Sequence, residues 1–244
     1  MCTCARFGAF PRAAWIALKE RAVDVDYVHI DLGKGKKPEW YGEKVNPSAT
    51  VPCLFDGSKR LRRGRGRTMG LLLTSLCPAE RPVFESLNVA EFVHDRFPGQ
   101  GNDLMPSDAH ERAAVRQFMS SIDVKPLYGL LMAQSPEKQA ELKTAVSAWA
   151  KATAKAFTAY SKDGPFFLGD TFSLADVALF PFLIRFKDTL PHYRNHELLP
   201  EDDADVEPLR KLVAAALERP SVKETTPEAA FFIELYAGYA NKKE

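Results

Sequence analysis

The segment from Lys37 to Phe55 contains main-chain groups that could hold a ligand. It reads KPEWYGEKVNPSATVPCLF, and Val51-Pro52 opens a short apolar run after several turn-forming residues. A proline at the first position of a strand can follow a cis peptide bond. That geometry presents the main chain of Val51 to a bound molecule. The segment therefore predicts a binding site built on backbone hydrogen bonds.

Glu85 and Ser86 lie at a predicted strand-to-helix junction. The glutamate carboxylate could pair with an ammonium group, while the serine hydroxyl and the helix N-terminus suit a carboxylate. The same two residues can also cap a helix without any ligand. The local sequence leaves both interpretations open.

The cysteines and histidines show no pattern typical of a metal site. The cysteines lack metal-finger spacing, and no two histidines share a helix face with a carboxylate partner. We therefore expect no metal and, in a reducing compartment, no disulfide framework. The residues concerned are Cys2, Cys4, Cys53, Cys77, His29, His94, His110, His192 and His196.

Length and charge restrict the class of protein. With 244 residues, 45% hydrophobic and 27% charged, the chain fits one large or two modest globular domains. Its apolar segments are shorter than the ~20 residues that a membrane span needs, and a signal-peptide pattern is missing. We expect a cytoplasmic protein with no membrane partner. The net charge of +1 argues against nucleic acid as the main partner.

Hydrophobic periodicity divides the chain into two halves. Helices are predicted at 11–21 and 86–97 and strands at 27–32 and 51–55, and this alternation indicates an α/β unit. A linker is predicted at 98–105, and apolar residues then recur only at helical spacing. The residues of these stripes are interpreted as core: Val115, Phe118, Met119, Ile122, Val146, Trp149, Ala150, Phe157 and Tyr160.

Ser173 and Asp176 form a polar pair with a structural pattern. The serine can cap the first amide groups of a helix, and the aspartate three residues later can reach back to the cap backbone. We predict a capping box here, which is a folding device and not catalytic apparatus.

Three separated segments together resemble the glutathione transferase superfamily, most closely its omega and lambda classes. They are the Lys, Pro-Glu-Trp and Asn-Pro-x-x-x-Val-Pro series within 37–55, the capping-box segment 166–177, and the C-terminal pair 219–222 and 236–240. The resemblance implies a thioredoxin-like α/β N-terminal domain, residues 1–97. It also implies an all-α C-terminal domain, residues 106–244.

The resemblance further implies a glutathione site, with glutathione as cosubstrate. The main chain of Val51, before a cis Pro52, would pair with the cysteinyl part of glutathione. Glu85 and Ser86 would take the ammonium and carboxylate of its γ-glutamyl end, and Lys37 the glycyl carboxylate. The glutathione-binding residues implied in this way are Phe10, Lys37, Val51, Pro52, Glu85 and Ser86.

The nucleophile of these classes is missing. Omega- and lambda-like transferases begin the first helix with Cys-Pro-Phe-Ala, where the helix dipole lowers the pKa of the cysteine. In that register Gly8 occupies the cysteine position. Cys4, in the expected first strand, is a poor substitute because a buried strand thiol is inert. The catalytic residue is therefore unassigned.

Residues 62–82 differ from the rest of this half. They carry five arginines and one glutamate, a net charge of +4. Without them, 51–61 would continue at Val83 as the compact hairpin of the family. We interpret the segment as structureless and absent from the working protein, for example as retained intron sequence. The alternative is a regulatory or basic binding loop.

Two functions remain open. The first is a transferase that reduces glutathione mixed disulfides or dehydroascorbate, or conjugates glutathione to a small electrophile, and that is impaired in this chain by Gly8. The second is a non-catalytic module for glutathione binding or protein association. A homodimer is possible in either case.

Overall fold

The computed structural model describes residues 8–25, 27, 30, 38–56, 72–74, 81–160 and 163–241. The chain divides into two units, Met1–Met105 and Pro106–Glu244. Each unit has buried apolar clusters of its own. In the described residues, no helix has the length and apolar character that crossing a membrane requires.

The first unit is built on a three-stranded sheet in the order β2-β1-β3. Strand β1 (Cys53–Asp56) is central, β2 (Leu72–Thr74) runs parallel to it, and β3 (Arg81–Phe84) runs antiparallel. In the antiparallel pair, Cys53 lies opposite Phe84. The pairing expected between 51–55 and the segment that begins at Val83 is therefore confirmed.

The prediction that 62–82 is structureless is wrong for two of its parts. Residues 72–74 form β2, and Arg81 and Pro82 pair with Asp56 and Phe55 as the first half of β3. An apolar run beside an unpaired strand edge can pair with it, because that edge offers a row of free N–H and C=O groups. Residues 62–71 and 75–80 lie outside the described part of the chain.

Helices cover both faces of this sheet, because successive residues of a strand point to opposite sides. On one face, Leu54 packs with residues of α1 (Ala9–Glu20) and α3 (Ser86–Arg96). On the other face, Cys53 packs with Tyr41 of α2 (Glu39–Lys44). The helices predicted at 11–21 and 86–97 are confirmed.

The strand predicted at 27–32 is only partly described. Tyr27 and Ile30 are its two described residues, and neither belongs to a strand. The other four residues of that prediction lie outside the described part.

Residues 97–103 are held at the end of α1 by hydrogen bonds and an ion pair. The buried Arg21 guanidinium donates to the carbonyl oxygens of Phe97 and Asn102, the latter at 2.9 Å, and pairs with Asp103. Gly101 has a φ of +63°, and a Cβ added there would lie 2.2 Å from the Glu20 carbonyl oxygen. A glycine is required at this close approach. The predicted linker thus folds onto the first unit.

The second unit is helical, as predicted. Its described residues contain two isolated β-bridges and no longer strand. The helices are α4 (Ala109–Ser121), α5 (Lys125–Met132), α6 (Pro136–Thr158), α7 (Leu174–Arg194), a 3₁₀ turn (Ala204–Val206), α8 (Glu207–Leu217), α9 (Pro220–Lys223) and α10 (Ala229–Ala240).

Helix α7 is the buried centre of this unit, and its capping box is confirmed. The Asp176 carboxylate accepts hydrogen bonds from Phe167 N at 2.8 Å, Ser173 N at 2.7 Å and Ser173 Oγ at 2.8 Å. Burial raises the pKa of Asp176 to about 6, although these hydrogen bonds act to lower it. The donors at the start of α7 are therefore used within the protein.

The predicted core stripes are confirmed at most positions, whereas Ile122 and Trp149 are only partly buried. Val115, Phe118, Val146 and Phe157 are buried. Tyr160 is 45% exposed, so its assignment to the core is wrong. Helix α6 ends at Thr158, two residues earlier, and beyond that point helical periodicity no longer determines which way a side chain points.

Candidate functional site

The β1–β3 register brings four of the predicted site residues to one end of the sheet. Because Cys53 pairs with Phe84 in antiparallel fashion, the chain before Cys53 runs beside the chain after Phe84. Val51 and Pro52 therefore lie next to Glu85 and Ser86. The Val51-Pro52 peptide bond is cis, as predicted.

Glu85 has an unusual main-chain conformation, with φ +67° and ψ +123°. A residue with a Cβ in such a region costs about 1–3 kcal/mol, and such residues concentrate at ligand sites. Glu85 is the N-cap of α3, yet its exposed side chain makes no capping hydrogen bond. The glutamate thus does not perform the structural role that its sequence allowed, and its side chain is accessible to a ligand.

Ser86 is the first residue of α3 and is buried. The N-terminal end of a helix carries partial positive charge and favours an anion. The exposed Glu85 carboxylate can bind an ammonium group, and the adjacent helix start can bind a carboxylate on the neighbouring atom. That is the chemistry of the amino-acid end of a peptide.

Helix α2 and the loop that follows it each contain one residue that the sequence analysis did not identify. Tyr41 Oη and Asn46 Nδ2 both donate to the carbonyl oxygen of Thr50, at 2.6 and 2.8 Å. Asn46-Pro47 is a turn signal in sequence, but Tyr41 is nine residues from Thr50. Only the folded structure shows that both side chains reach the same carbonyl.

The start of α1 carries the second part of the predicted site. Gly8 is its N-cap, with φ −57° and ψ 153°, and makes no side-chain capping bond. Phe10, in the first turn, is 51% exposed. Through Ala14 and Leu18 the helix packs on the same sheet whose end carries Val51 and Glu85.

Cys53 is the one cysteine among the described residues, and its surroundings do not favour a reactive thiolate. Its side chain is fully buried, and burial raises the pKa of its thiol to about 12. A nucleophilic cysteine needs a lowered pKa and access to substrate. Two other predicted residues, Lys37 and Cys4, lie outside the described residues.

A sheet with helices on both faces, followed by an all-helical unit, defines the class of protein. The family model of the glutathione S-transferase N-terminal domain matches residues 7–96, and that of the C-terminal domain matches residues 114–225. Together the matches include most of the chain. The chain belongs to the glutathione S-transferase family, and the predicted fold class is confirmed.

Individual relatives agree with this assignment. The chain is 30% identical to Glutathione S-transferase L1 of Arabidopsis thaliana, over 84% of this chain and 75% of that protein. It is 32% identical to the maleylacetoacetate isomerase of Emericella nidulans, over 68% of this chain and 69% of the relative. The solved structure of glutathione transferase Omega 3C from Trametes versicolor superposes with a TM-score of 0.70 at 25% identity, over 96% and 88% of the two chains.

Proposed function

We propose that this chain binds glutathione in its first unit and uses it as a cosubstrate in transfer to a small electrophile. The Val51 main chain would pair with the cysteinyl part of the tripeptide. Glu85 would take the γ-glutamyl ammonium, and Ser86 with the start of α3 the adjacent carboxylate. Lys37 and Phe10 complete the proposed contacts, Lys37 at the glycyl carboxylate.

The observation that carries this proposal is the conformation of Glu85. A folded chain has no reason to hold a glutamate at φ +67° for capping, since the side chain makes no capping bond. The strain is explained if the conformation directs the carboxylate toward a ligand beside Val51. The antiparallel register supplies that proximity.

The proposed nucleophile is the thiolate of glutathione itself. Gly8 places no side chain at the start of α1, so the positive end of the helix dipole can stabilise a sulfur anion from the ligand. The glutathione thiol would lose its proton to solvent. Its sulfur would then form a bond to the electrophilic carbon, and the leaving group would depart with its electron pair.

For the class within the family, we propose an omega- or lambda-type ancestry with impaired thiol-transferase chemistry. The similarity to Omega 3C and to Glutathione S-transferase L1 supports the ancestry. Gly8 and the buried Cys53 thiol support the proposed impairment, because reduction of a mixed disulfide through the enzyme needs a protein thiolate at the site.

Calorimetric titration with glutathione tests the binding site. Glu85→Gln removes the carboxylate charge, and we expect the Kd for glutathione to rise about tenfold. Glu228→Gln is the matched control, because Glu228 is also an N-cap glutamate without a capping bond, at the start of α10. The control should keep the wild-type Kd. A wild-type protein that gives no binding heat with glutathione at about 10 mM would overturn the proposal.

Gly8 also favours a second function, a non-catalytic binding module. This alternative differs from the first only in turnover. If glutathione binds but the chain does not accelerate its reaction with a model aryl halide, the non-catalytic module is the better description.

A further inference from the structure

The peptide group between Thr50 and Val51 is held from one side by two buried donors. Its carbonyl oxygen accepts from Tyr41 Oη at 2.6 Å and from Asn46 Nδ2 at 2.8 Å. Asn46 Nδ2 also lies 3.2 Å from Thr50 Oγ1. Most carbonyl oxygens in an exposed loop have no such pair of side-chain donors, because loops mainly bond to water.

Both donors are themselves fixed. Tyr41 and Asn46 are each fully buried. The Tyr41 ring packs with Val45 and Cys53 under the sheet, and burial raises the pKa of its hydroxyl, which therefore keeps its proton. Asn46 Oδ1 accepts from Ser48 N at 3.0 Å, which assigns its amide nitrogen to Thr50.

A planar trans peptide directs its C=O and N–H in opposite directions. Because the Thr50 carbonyl is turned toward Tyr41 and Asn46, the N–H of Val51 must point away from them. Among the described residues, no main-chain carbonyl accepts a hydrogen bond from this N–H. It is an oriented donor at the end of β1, beside Glu85.

We infer that Tyr41 and Asn46 are positioning residues for glutathione: they clamp the Thr50 carbonyl and thereby aim the Val51 N–H at the cysteinyl part of the ligand. This inference rests on the proposed function. It adds that the binding backbone is preorganised by two side chains that never touch the ligand. Preorganisation strengthens binding because the loop need not be ordered at the moment of association.

Tyr41→Phe tests the inference with a matched control elsewhere in the chain. It removes one hydroxyl that donates to a main-chain carbonyl at 2.6 Å. Tyr193→Phe removes the same kind of bond, Tyr193 Oη to the Ile233 carbonyl, also at 2.6 Å, in the second unit. We expect Tyr41→Phe to raise the Kd for glutathione about three- to tenfold, as for the loss of one buried hydrogen bond, and Tyr193→Phe to leave it unchanged.

A second variant and a spectroscopic measurement make the test independent of stability. Asn46→Ala should weaken binding further, and where turnover is measurable the KM for glutathione should rise while the KM for the electrophile stays constant. In wild-type protein labelled with ¹⁵N, glutathione should shift the Val51 amide more than the amides of α2. That measurement needs no variant, and an unshifted Val51 amide would refute the inference.

The outcomes separate this inference from the proposed function. If wild-type protein binds glutathione and Tyr41→Phe binds it equally well, the positioning role is refuted and the site remains. If glutathione binds but the Val51 amide does not shift, the positioning role and the proposed Val51 contact are both refuted. If wild-type protein does not bind glutathione, both fall together. If Tyr41→Phe and Tyr193→Phe weaken binding equally, the effect is general loss of stability and the positioning role is likewise refuted.

Discussion

Helices α1 and α7 begin in opposite ways. At α7, Ser173 and Asp176 form a complete capping box, and the buried carboxylate accepts three hydrogen bonds. At α1, the N-cap is Gly8, which has no side chain and is only partly buried. At both helix starts, the first main-chain N–H groups have no acceptor within the helix and need one from elsewhere.

The difference shows how one structural element can serve folding or binding. At α7 the acceptors come from the chain, so the helix start is closed to ligands and contributes to stability. At α1 the N-cap Gly8 has no side chain to cap the helix, so a bound anion can fill the role. Helix α3 is intermediate, since its N-cap Glu85 has a carboxylate but does not use it as a cap.

The largest change would come from placing a thiol at the start of α1. Gly8→Cys should raise the rate at which glutathione mixed disulfides are reduced by roughly 100-fold or more over the wild type, because the helix dipole favours a thiolate there. The new thiolate would attack the glutathionyl sulfur, release the other thiolate, and be regenerated by a second glutathione with formation of glutathione disulfide.

Steady-state rates with a mixed disulfide measure this effect, with Gly8→Ser as the control of similar size. Equal rates for the cysteine and serine variants would show that the α1 start is not at the reacting sulfur. That result would contradict the binding role assigned to the start of α1 and leave only the folding role of α7.

Removing the acceptor at α7 should lower stability without touching the proposed site. Asp176→Ala leaves buried donors unsatisfied, and we expect the free energy of unfolding to fall by about 3 kcal/mol. Ser135→Ala, at the exposed start of α6, removes one capping bond of 3.2 Å from Lys138 N and should cost about 1 kcal/mol. Urea unfolding measures both, and equal losses would contradict the structural role assigned to the buried box.

The smallest predicted effect concerns the strain at Glu85. Glu85→Gly relieves the positive φ, whereas Glu85→Ala keeps a Cβ in the same conformation, so the glycine variant should be more stable by about 1 kcal/mol. Both variants should bind glutathione more weakly, since neither has the carboxylate. Thermal unfolding and titration of the pair separate strain from ligand contact; a less stable glycine variant would argue against strain at this position.

Local patterns in the sequence predicted helices α1 and α3 and the capping box of α7. The capping box needed only Ser173 and Asp176 at the right spacing, because its hydrogen bonds form within one helix turn. The Pro52 position and the following apolar run predicted β1 for a similar reason. Strand and helix patterns alternate in the first half of the chain and only helical spacing follows, which predicted the order of the α/β and helical units.

Errors arose at a strand pairing between distant segments and at the end of a helix. A strand edge accepts whichever segment reaches it, so the pairing of 72–74 with β1 could not be read from its arginine-rich surroundings. Tyr160 was misassigned because the periodic pattern continued beyond the residue where α6 ends.

For the site, the amino-acid sequence by itself determined which chemical groups are present: a Val-Pro pair, a Glu-Ser pair and no cysteine at position 8. Only the tertiary structure decided that the first two lie side by side, since their proximity depends on the β1–β3 register. Likewise, only the tertiary structure decided that Tyr41 and Asn46 both donate hydrogen bonds to the Thr50 carbonyl. Local sequence specifies hydrogen bonds within a turn, whereas contacts between distant segments exist only after the chain has folded.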